Sequence, residues 1–107
     1  MFVTSAEKMD YIESGIEGIS LCNLWDNGTG GGASLVCLSA DAYFPKHAHL
    51  GWEQAYVLTG EVKLGDVTVK TGDYLFADIG DIHDARAITD SKLLVFIEKG
   101  IDILDEG

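Results

Sequence analysis

Short hydrophobic runs, separated by glycine and polar residues, recur along the whole chain, and no long segment repeats apolar residues at the spacing of an amphipathic helix. This pattern predicts β-strands, which bury alternate side chains and end at turn residues. We expect strands at residues 19–25, 33–39, 44–49, 53–59, 61–64, 67–70, 74–77, 82–88 and 93–98. Strands of this number and length bury their apolar faces most economically in a sandwich or barrel, so the predicted fold class is all-β.

Two glycine-containing segments predict turns. Gly65-Asp66 lies between two strands, and a glycine at the first central position of a type II′ turn would make residues 62–69 a β-hairpin. Residues 27–33 fit the G-x-G-x-x-G/A pattern of dinucleotide-binding loops. Such a loop opens a helix, whereas the residues that follow are strand-like, so we interpret the segment as a hairpin loop turning at Asn27-Gly28.

Composition and charge exclude several classes of partner. The 107-residue chain carries 18 acidic and 7 basic side chains, a formal charge of −11, which opposes binding to nucleic acid or to an anionic membrane. No apolar stretch reaches the roughly 18 residues of a spanning helix, and residues 1–10 lack a signal-peptide pattern. We therefore expect a cytoplasmic protein that forms one domain over residues 1–107. Cys22 and Cys37 are expected to be two buried, unpaired thiols.

All three histidines of the chain lie in two short segments. His47 and His49 are two residues apart, so on a strand their imidazoles point to one face and can approach one ion at about 2.1 Å. Glu53 follows Gly51 with the same parity and can supply an anionic ligand, while His83 begins a later strand that a barrel can place nearby. We predict that one divalent metal ion is bound by the His/Glu cluster, which comprises His47, His49, Glu53 and His83.

The spacing of these residues resembles the two conserved motifs of the cupin superfamily. In the first motif, His47 and His49 are followed by three residues, Glu53, six residues and Gly60. In the second motif, Gly72 precedes five residues, Asp78, one residue, Gly80, two residues and His83. The resemblance covers about residues 33–97, which we expect to be the core of the domain. It implies a double-stranded β-helix, the jelly-roll barrel of RmlC-like small single-domain cupins, with the ion inside its mouth.

Within the superfamily, residues 44–60 are similar to the branch that contains ChrR-like anti-sigma-factor cupins and dihydroxyacetophenone or acetylacetone dioxygenases. Three positions depart from the superfamily pattern. Asp41 stands where the first motif often begins with glycine, Asp78 replaces the usual proline, and Ala87 stands where the second motif often ends in asparagine. None of these departures removes a ligand.

The residues around the cluster give a less specific pattern. Five aromatic side chains can line a pocket beside the ion or pack as ordinary core, namely Phe44, Trp52, Tyr56, Tyr74 and Phe76. Asp81 and Asp84 lie near His83 and either orient a ligand imidazole or are exposed turn acids. Arg86 has the wrong strand parity relative to His83 to hold an anion at the site.

Four protein ligands leave an octahedral ion with about two open positions, whereas a structural zinc site is closed at four. The favoured hypothesis is a mononuclear metalloenzyme for a small oxygenated or carbonyl compound. It would be a dioxygenase with Fe, or an isomerase or decarboxylase with Mn, Ni or Zn. The alternatives are a non-catalytic metal or ligand sensor of ChrR-like type and a structural cupin.

The resemblance also implies a homodimer, since a second subunit can cover the apolar faces and edges of so small a barrel.

Overall fold

Our computed structural model describes residues 1–104 of the chain. Within this range it contains a short 3-10 turn at Ala6–Lys8 and eleven strands. The strands are β1 (Ile12–Glu13), β2 (Ile19–Asp26), β3 (Gly32–Leu38), β4 (Tyr43–His49), β5 (Glu53–Thr59), β6 (Glu61–Leu64), β7 (Val67–Lys70), β8 (Tyr74–Ala77), β9 (Ile82–Ala87), β10 (Ser91–Ile97) and β11 (Ile101–Ile103). All nine predicted strands are present with bounds that agree within two residues, while the short β1 and β11 were not predicted.

The strands form two antiparallel sheets that pack face to face. The six-stranded sheet has the order β1-β2-β3-β10-β5-β8, and the five-stranded sheet has the order β11-β4-β9-β6-β7. The hydrophobic core lies between them, because its buried members come from both sheets, such as Val57 and Leu93 from the first and Val62 and Ala87 from the second. This arrangement confirms the predicted all-β jelly roll. No helix in residues 1–104 is long and apolar enough to cross a membrane.

The two predicted turns are confirmed. Leu64 pairs with Val67 around Gly65, which adopts a φ of +57°, as the first central residue of a type II′ turn requires. The loop after β2 leads directly into β3 rather than into a helix. The Oδ1 atom of Asn27 accepts hydrogen bonds from the backbone N–H groups of Thr29 and Gly31, which closes this hairpin loop.

The structure shows the local consequence of each of the three departures from the superfamily pattern. Asp41 has a φ of +70°, a left-handed conformation that glycine adopts without strain, which accounts for the usual glycine there. The backbone N–H of Asp78 donates to Oδ2 of Asp81 at 2.8 Å, a hydrogen bond that proline cannot make. Ala87 is fully buried opposite Val62, where a small apolar side chain completes the core.

The two cysteines are unpaired, but only one of them is fully buried. Cys22 is buried as predicted. The prediction is wrong for Cys37, which is only half-buried because it lies opposite Ser20 and Lys92 on the neighbouring strands and lines a surface depression there. Its strand parity directs it to this partly open face.

Candidate metal centre

The fold brings the four residues of the His/Glu cluster together. Each offers one ligand atom, and these atoms lie within 4.8 Å of one another, so the group can hold a metal ion. His47 and His49 are supplied by the end of β4 and Glu53 by the first residue of β5. His83, near the start of β9, is the direct cross-strand partner of His47. The four side chains therefore converge from three strands that belong to both sheets.

Two of these side chains form a closed back to the cluster and two form an accessible front. His47 and His49 are buried, whereas Glu53 and His83 are only half-buried. The ring of Phe44 packs edge-on against His47 with the ring centroids 4.9 Å apart, which shields the closed side. A ligand can therefore reach the cluster past Glu53 and His83.

Backbone carbonyl groups orient the two buried imidazoles. The Nδ1 atom of His47 lies 2.8 Å from the carbonyl oxygen of Pro45, and Nδ1 of His49 lies 2.7 Å from the carbonyl oxygen of Asp81. Because a carbonyl oxygen only accepts hydrogen bonds, each Nδ1 must carry a proton and donate. In the neutral imidazoles, this leaves Nε2 as a bare lone pair that can bind a metal ion.

The Nε2 atom of His49 points at a carboxylate. It lies 2.7 Å from Oε1 of Glu53, although both atoms are acceptors when His49 is neutral and Glu53 is ionised. A divalent ion bound by both atoms would offset the repulsion between this lone pair and this carboxylate oxygen.

The electrostatic environment keeps His47 and His83 in the neutral form that binds metal. Burial, together with the neighbouring His47 and His49, lowers the pKa of His83 to about 4. Burial also lowers the pKa of His47 below its usual value. Since only the neutral imidazole is a ligand, these two side chains need not release a proton at neutral pH when an ion binds.

The carboxylates of Asp81 and Asp84 do not orient the imidazoles. Oδ2 of Asp81 accepts a hydrogen bond from a turn N–H, and Oδ2 of Asp84 accepts one from the Tyr43 hydroxyl at 2.9 Å. The orienting group from residue 81 is its backbone carbonyl instead. Sequence patterns could not identify this carbonyl or that of Pro45, because every residue type has one.

The five aromatic residues of the predicted pocket fall into two groups. Phe44 contacts His47, and Trp52 is half-buried in the segment between His49 and Glu53. The structure does not place the other three beside the His/Glu cluster, because their strand parity directs them to the outer face of the six-stranded sheet. They are Tyr56, Tyr74 and Phe76, with exposed fractions of 44%, 58% and 54%.

Arg86 also points away from the cluster, as its parity predicts. Its Nη1 atom donates to the carbonyl oxygen of Asp41 at 2.9 Å, and its guanidinium lies 4.7 Å from the centre of the Tyr43 ring. Arg86 therefore lies on the outer face of the five-stranded sheet.

Comparison with known proteins places this geometry in a family. The family model described as the ChrR Cupin-like domain matches residues 1–101. The chain belongs to the ChrR-like cupins. The match confirms the predicted cupin resemblance and extends it beyond residues 33–97. No curated protein sequence matches this cupin.

Solved structures show the same cupin fold at low sequence identity. An RmlC-like cupin from Ralstonia eutropha has a TM-score of 0.85 at 14% identity, over 95% of this chain and 71% of its own. An acetylacetone dioxygenase from Acinetobacter johnsonii has a TM-score of 0.82 at 16% identity, over 99% and 78%. The anti-sigma factor ChrR from Rhodobacter sphaeroides, solved in complex with SigE, has a TM-score of 0.75 at 24% identity, over 88% and 51%.

Proposed function

We propose that this cupin binds one divalent metal ion through His47, His49, Glu53 and His83 and uses it to act on a small oxygenated or carbonyl compound. The observation that carries the proposal is the convergence of one ligand atom from each of the four residues, all within 4.8 Å of one another. Donor atoms bound at about 2.1 Å to one octahedral ion are about 3.0 Å apart when adjacent and about 4.2 Å apart when opposite. The four ligand atoms lie within 4.8 Å of one another, so side-chain adjustments of a fraction of an ångström would bring all four to one ion.

The charges of the cluster suit an anionic or enolisable substrate. Three neutral imidazoles and one carboxylate leave about one positive charge on a divalent ion, in a chain whose formal charge is −11. This local charge would attract a carboxylate or enolate oxygen. A bound ion would supply Lewis acidity to that oxygen, and with iron it would also support reaction with dioxygen.

The side chains of the chain define where that substrate binds. His47 and His49 are fixed by backbone carbonyls at the closed back, so the substrate would enter at the half-buried front formed by Glu53 and His83. Commitment of all three histidines to the ion leaves none as a general base. A proton acceptor would therefore be a carboxylate, a tyrosine or a hydroxide.

The identity of the metal decides the class of reaction. Iron supports a dioxygenase, an activity to which the likeness to an acetylacetone dioxygenase gives support at the level of the fold. Manganese, nickel or zinc supports an isomerase or decarboxylase, because these reactions need no change of redox state at the metal. Elemental analysis of protein purified without an affinity tag or added metal distinguishes the dioxygenase from the isomerase or decarboxylase.

The test compares wild type with His49→Ala and Glu53→Ala. We expect about one equivalent of metal in the wild type and its loss in both variants. If iron is found, oxygen consumption with diketones and phenolic ketones tests the dioxygenase. An absence of metal, with none taken up from a panel of divalent ions, would contradict the proposal.

A metal or ligand sensor is the second candidate, and the family match favours it. The ChrR chain was solved with a sigma factor, and this chain spans about half of the ChrR chain's length. A sensor would bind metal with the same four residues but turn over no substrate. Metal-dependent binding to a protein partner, without turnover, would favour the sensor over the enzyme.

The outer face of the six-stranded sheet supports a homodimer. It carries an aromatic stripe, defined by Tyr56, Tyr74, Phe76 and Phe96, whose members are 40–58% exposed. Tyr56 pairs directly with Tyr74, while Phe76 and Phe96 both pair with Gln54, which lies between them on the same face. A second copy of the chain that packed on this patch would bury it, as aromatic residues are buried in many subunit interfaces.

A further inference from the structure

Three of the seven basic side chains of this acidic protein line a single depression. They are Lys46, Lys63 and Arg86, which lie on three adjacent strands of the five-stranded sheet. The depression has a volume of about 440 Å³, within the range of small-molecule sites. Its location is unexpected, because acidic side chains outnumber basic ones by 18 to 7 in the chain.

Strand register places two of these cations directly opposite each other. Arg86 on β9 pairs with Lys63 on β6 and, on its other side, with Tyr43 on β4. The Cβ atoms of such partners are about 5 Å apart, and two like charges at that distance destabilise a sheet. An anion bound between Lys63 and Arg86 would be attracted by both cations and would offset the repulsion between them.

The cations are arranged to receive a ligand. The guanidinium of Arg86 is held over the Tyr43 ring by one hydrogen bond to the Asp41 carbonyl oxygen, so most of its five N–H donors stay available. Neither Lys46 nor Lys63 forms an ion pair with a residue in the range 1–104. Two acids, Asp66 and Asp84, also line the depression and leave it one net positive charge.

The depression adjoins the His/Glu cluster through His83, which also lines it, but its three cations lie on the outer face of the sheet. Lys63 and Arg86 alternate along their strands with the buried Val62, Ala85 and Ala87, so they face outward while the ligand imidazoles face inward. We infer that the outer face of the five-stranded sheet binds a small oxyanion, the phosphate or carboxylate group of a ligand, between Lys63 and Arg86 with Lys46 at its edge. This inference does not depend on metal binding.

Titration of chelator-treated protein with inorganic phosphate tests this site, because removal of metal excludes phosphate binding to an ion. Calorimetry at constant ionic strength should show saturable binding of one phosphate per chain. Lys63→Gln and Arg86→Lys should each weaken phosphate binding by about tenfold or more. The first removes a positive charge that contacts the anion, and the second replaces the planar guanidinium with an ammonium group that cannot donate two parallel hydrogen bonds. Lys70→Gln, on β7 outside the depression, removes one positive charge as Lys63→Gln does and should leave the affinity within about twofold.

A parallel titration with succinate distinguishes the source of the oxyanion. Binding of phosphate alone assigns a phosphate group, and binding of succinate alone assigns a carboxylate. Circular dichroism of each variant, compared with wild type, establishes that lost binding does not come from lost folding. No saturation by either probe below about 10 mM, or equal weakening by Lys70→Gln, would overturn the inference.

Discussion

His49 and Glu53 face each other through two acceptor atoms that lie 2.7 Å apart, while the opposite nitrogen of His49 donates to the Asp81 carbonyl. The variant Glu53→Gln tests separately what this pair contributes to the stability of the protein and to metal binding. The glutamine amide can donate to His49 Nε2, so the metal-free variant should keep its unfolding free energy within about 1 kcal/mol. Its affinity for the divalent ion should fall by about a hundredfold or more, because the anionic ligand is lost.

Denaturant unfolding of chelated protein and competitive metal titration provide the two measurements. Glu61→Gln, a change of the same chemistry on β6, is the matched control and should alter neither quantity appreciably. An unchanged metal affinity in Glu53→Gln would exclude Glu53 from the ligands.

Metal-free protein should lose stability as the pH falls from about 6.5 to 4. His83 has a pKa of about 4 in the folded protein against 6.5 for an unperturbed histidine, so in this window the unfolded chain binds a proton that the folded chain does not. Above pH 6.5 the imidazole is neutral in both states and contributes no pH dependence. Between pH 7 and pH 5 we expect wild type to lose on the order of 1–2 kcal/mol more than His83→Gln, measured by urea unfolding. Parallel pH profiles of the two proteins would refute this assignment.

Asp41→Gly should stabilise the protein by about 0.5–1 kcal/mol. An L-residue at a φ of +70° costs roughly 1–2 kcal/mol, and the greater freedom of glycine in the unfolded chain offsets part of the gain. Ala40→Gly, at the preceding position, relieves no such strain and should lower the unfolding free energy by about 0.4–1 kcal/mol. Thermal and urea unfolding of both variants would reveal whether the sign differs between neighbouring positions.

Gly60 and Gly72 both have positive φ values, +103° and +90°, but they differ in the space around them. A Cβ atom on Gly60 would collide with the Ser91 hydroxyl and lie 2.5 Å from the Asp90 carbonyl oxygen, whereas one on Gly72 would meet nothing within 4 Å. Gly60→Ala should therefore cost about 3 kcal/mol or more, and Gly72→Ala only the conformational cost of about 1–2 kcal/mol. Equal losses in the two variants would show that backbone strain alone sets the requirement for glycine.

The oligomeric state should depend on the aromatic stripe. Tyr74→Glu combined with Phe76→Glu places two charges in the patch. Light scattering after size exclusion should then report a monomer for this variant and a dimer for wild type. Val67→Glu is the control, because Val67 is 62% exposed on the other sheet. A wild-type monomer at micromolar concentration would argue against this interface.

Sequence patterns predicted most of the strands and the members of the His/Glu cluster, because both depend on local alternation and spacing. Strands β5 to β8 have the bounds that the hydrophobic pattern indicates. The strands β1 and β11 have only two and three residues, and they exist through pairing with β2 and β4 across the sequence. Such non-local pairing leaves no local pattern to detect.

The orientation of the aromatic residues around the His/Glu cluster was harder to predict than the members of the cluster. Tyr56 is an odd number of residues from Glu53 on one regular strand, so alternation alone would have placed it on the opposite face. Phe44 and His47 are also three residues apart, yet both face inward, because a register shift between them changes the parity. A bulge of this kind depends on the partner strand and cannot be derived from residue spacing.

The carbonyl groups of Pro45 and Asp81 give the buried imidazoles an orientation that any amino acid at those positions could maintain. The orientation of these two imidazoles is therefore set by the path of the main chain, and it does not depend on the identity of the side chains at positions 45 and 81. A saturation mutagenesis screen scored by metal content would find four stringent positions in a permissive neighbourhood. Substitutions can therefore reshape the entrance to the His/Glu cluster for a new ligand while the arrangement of the cluster itself stays intact.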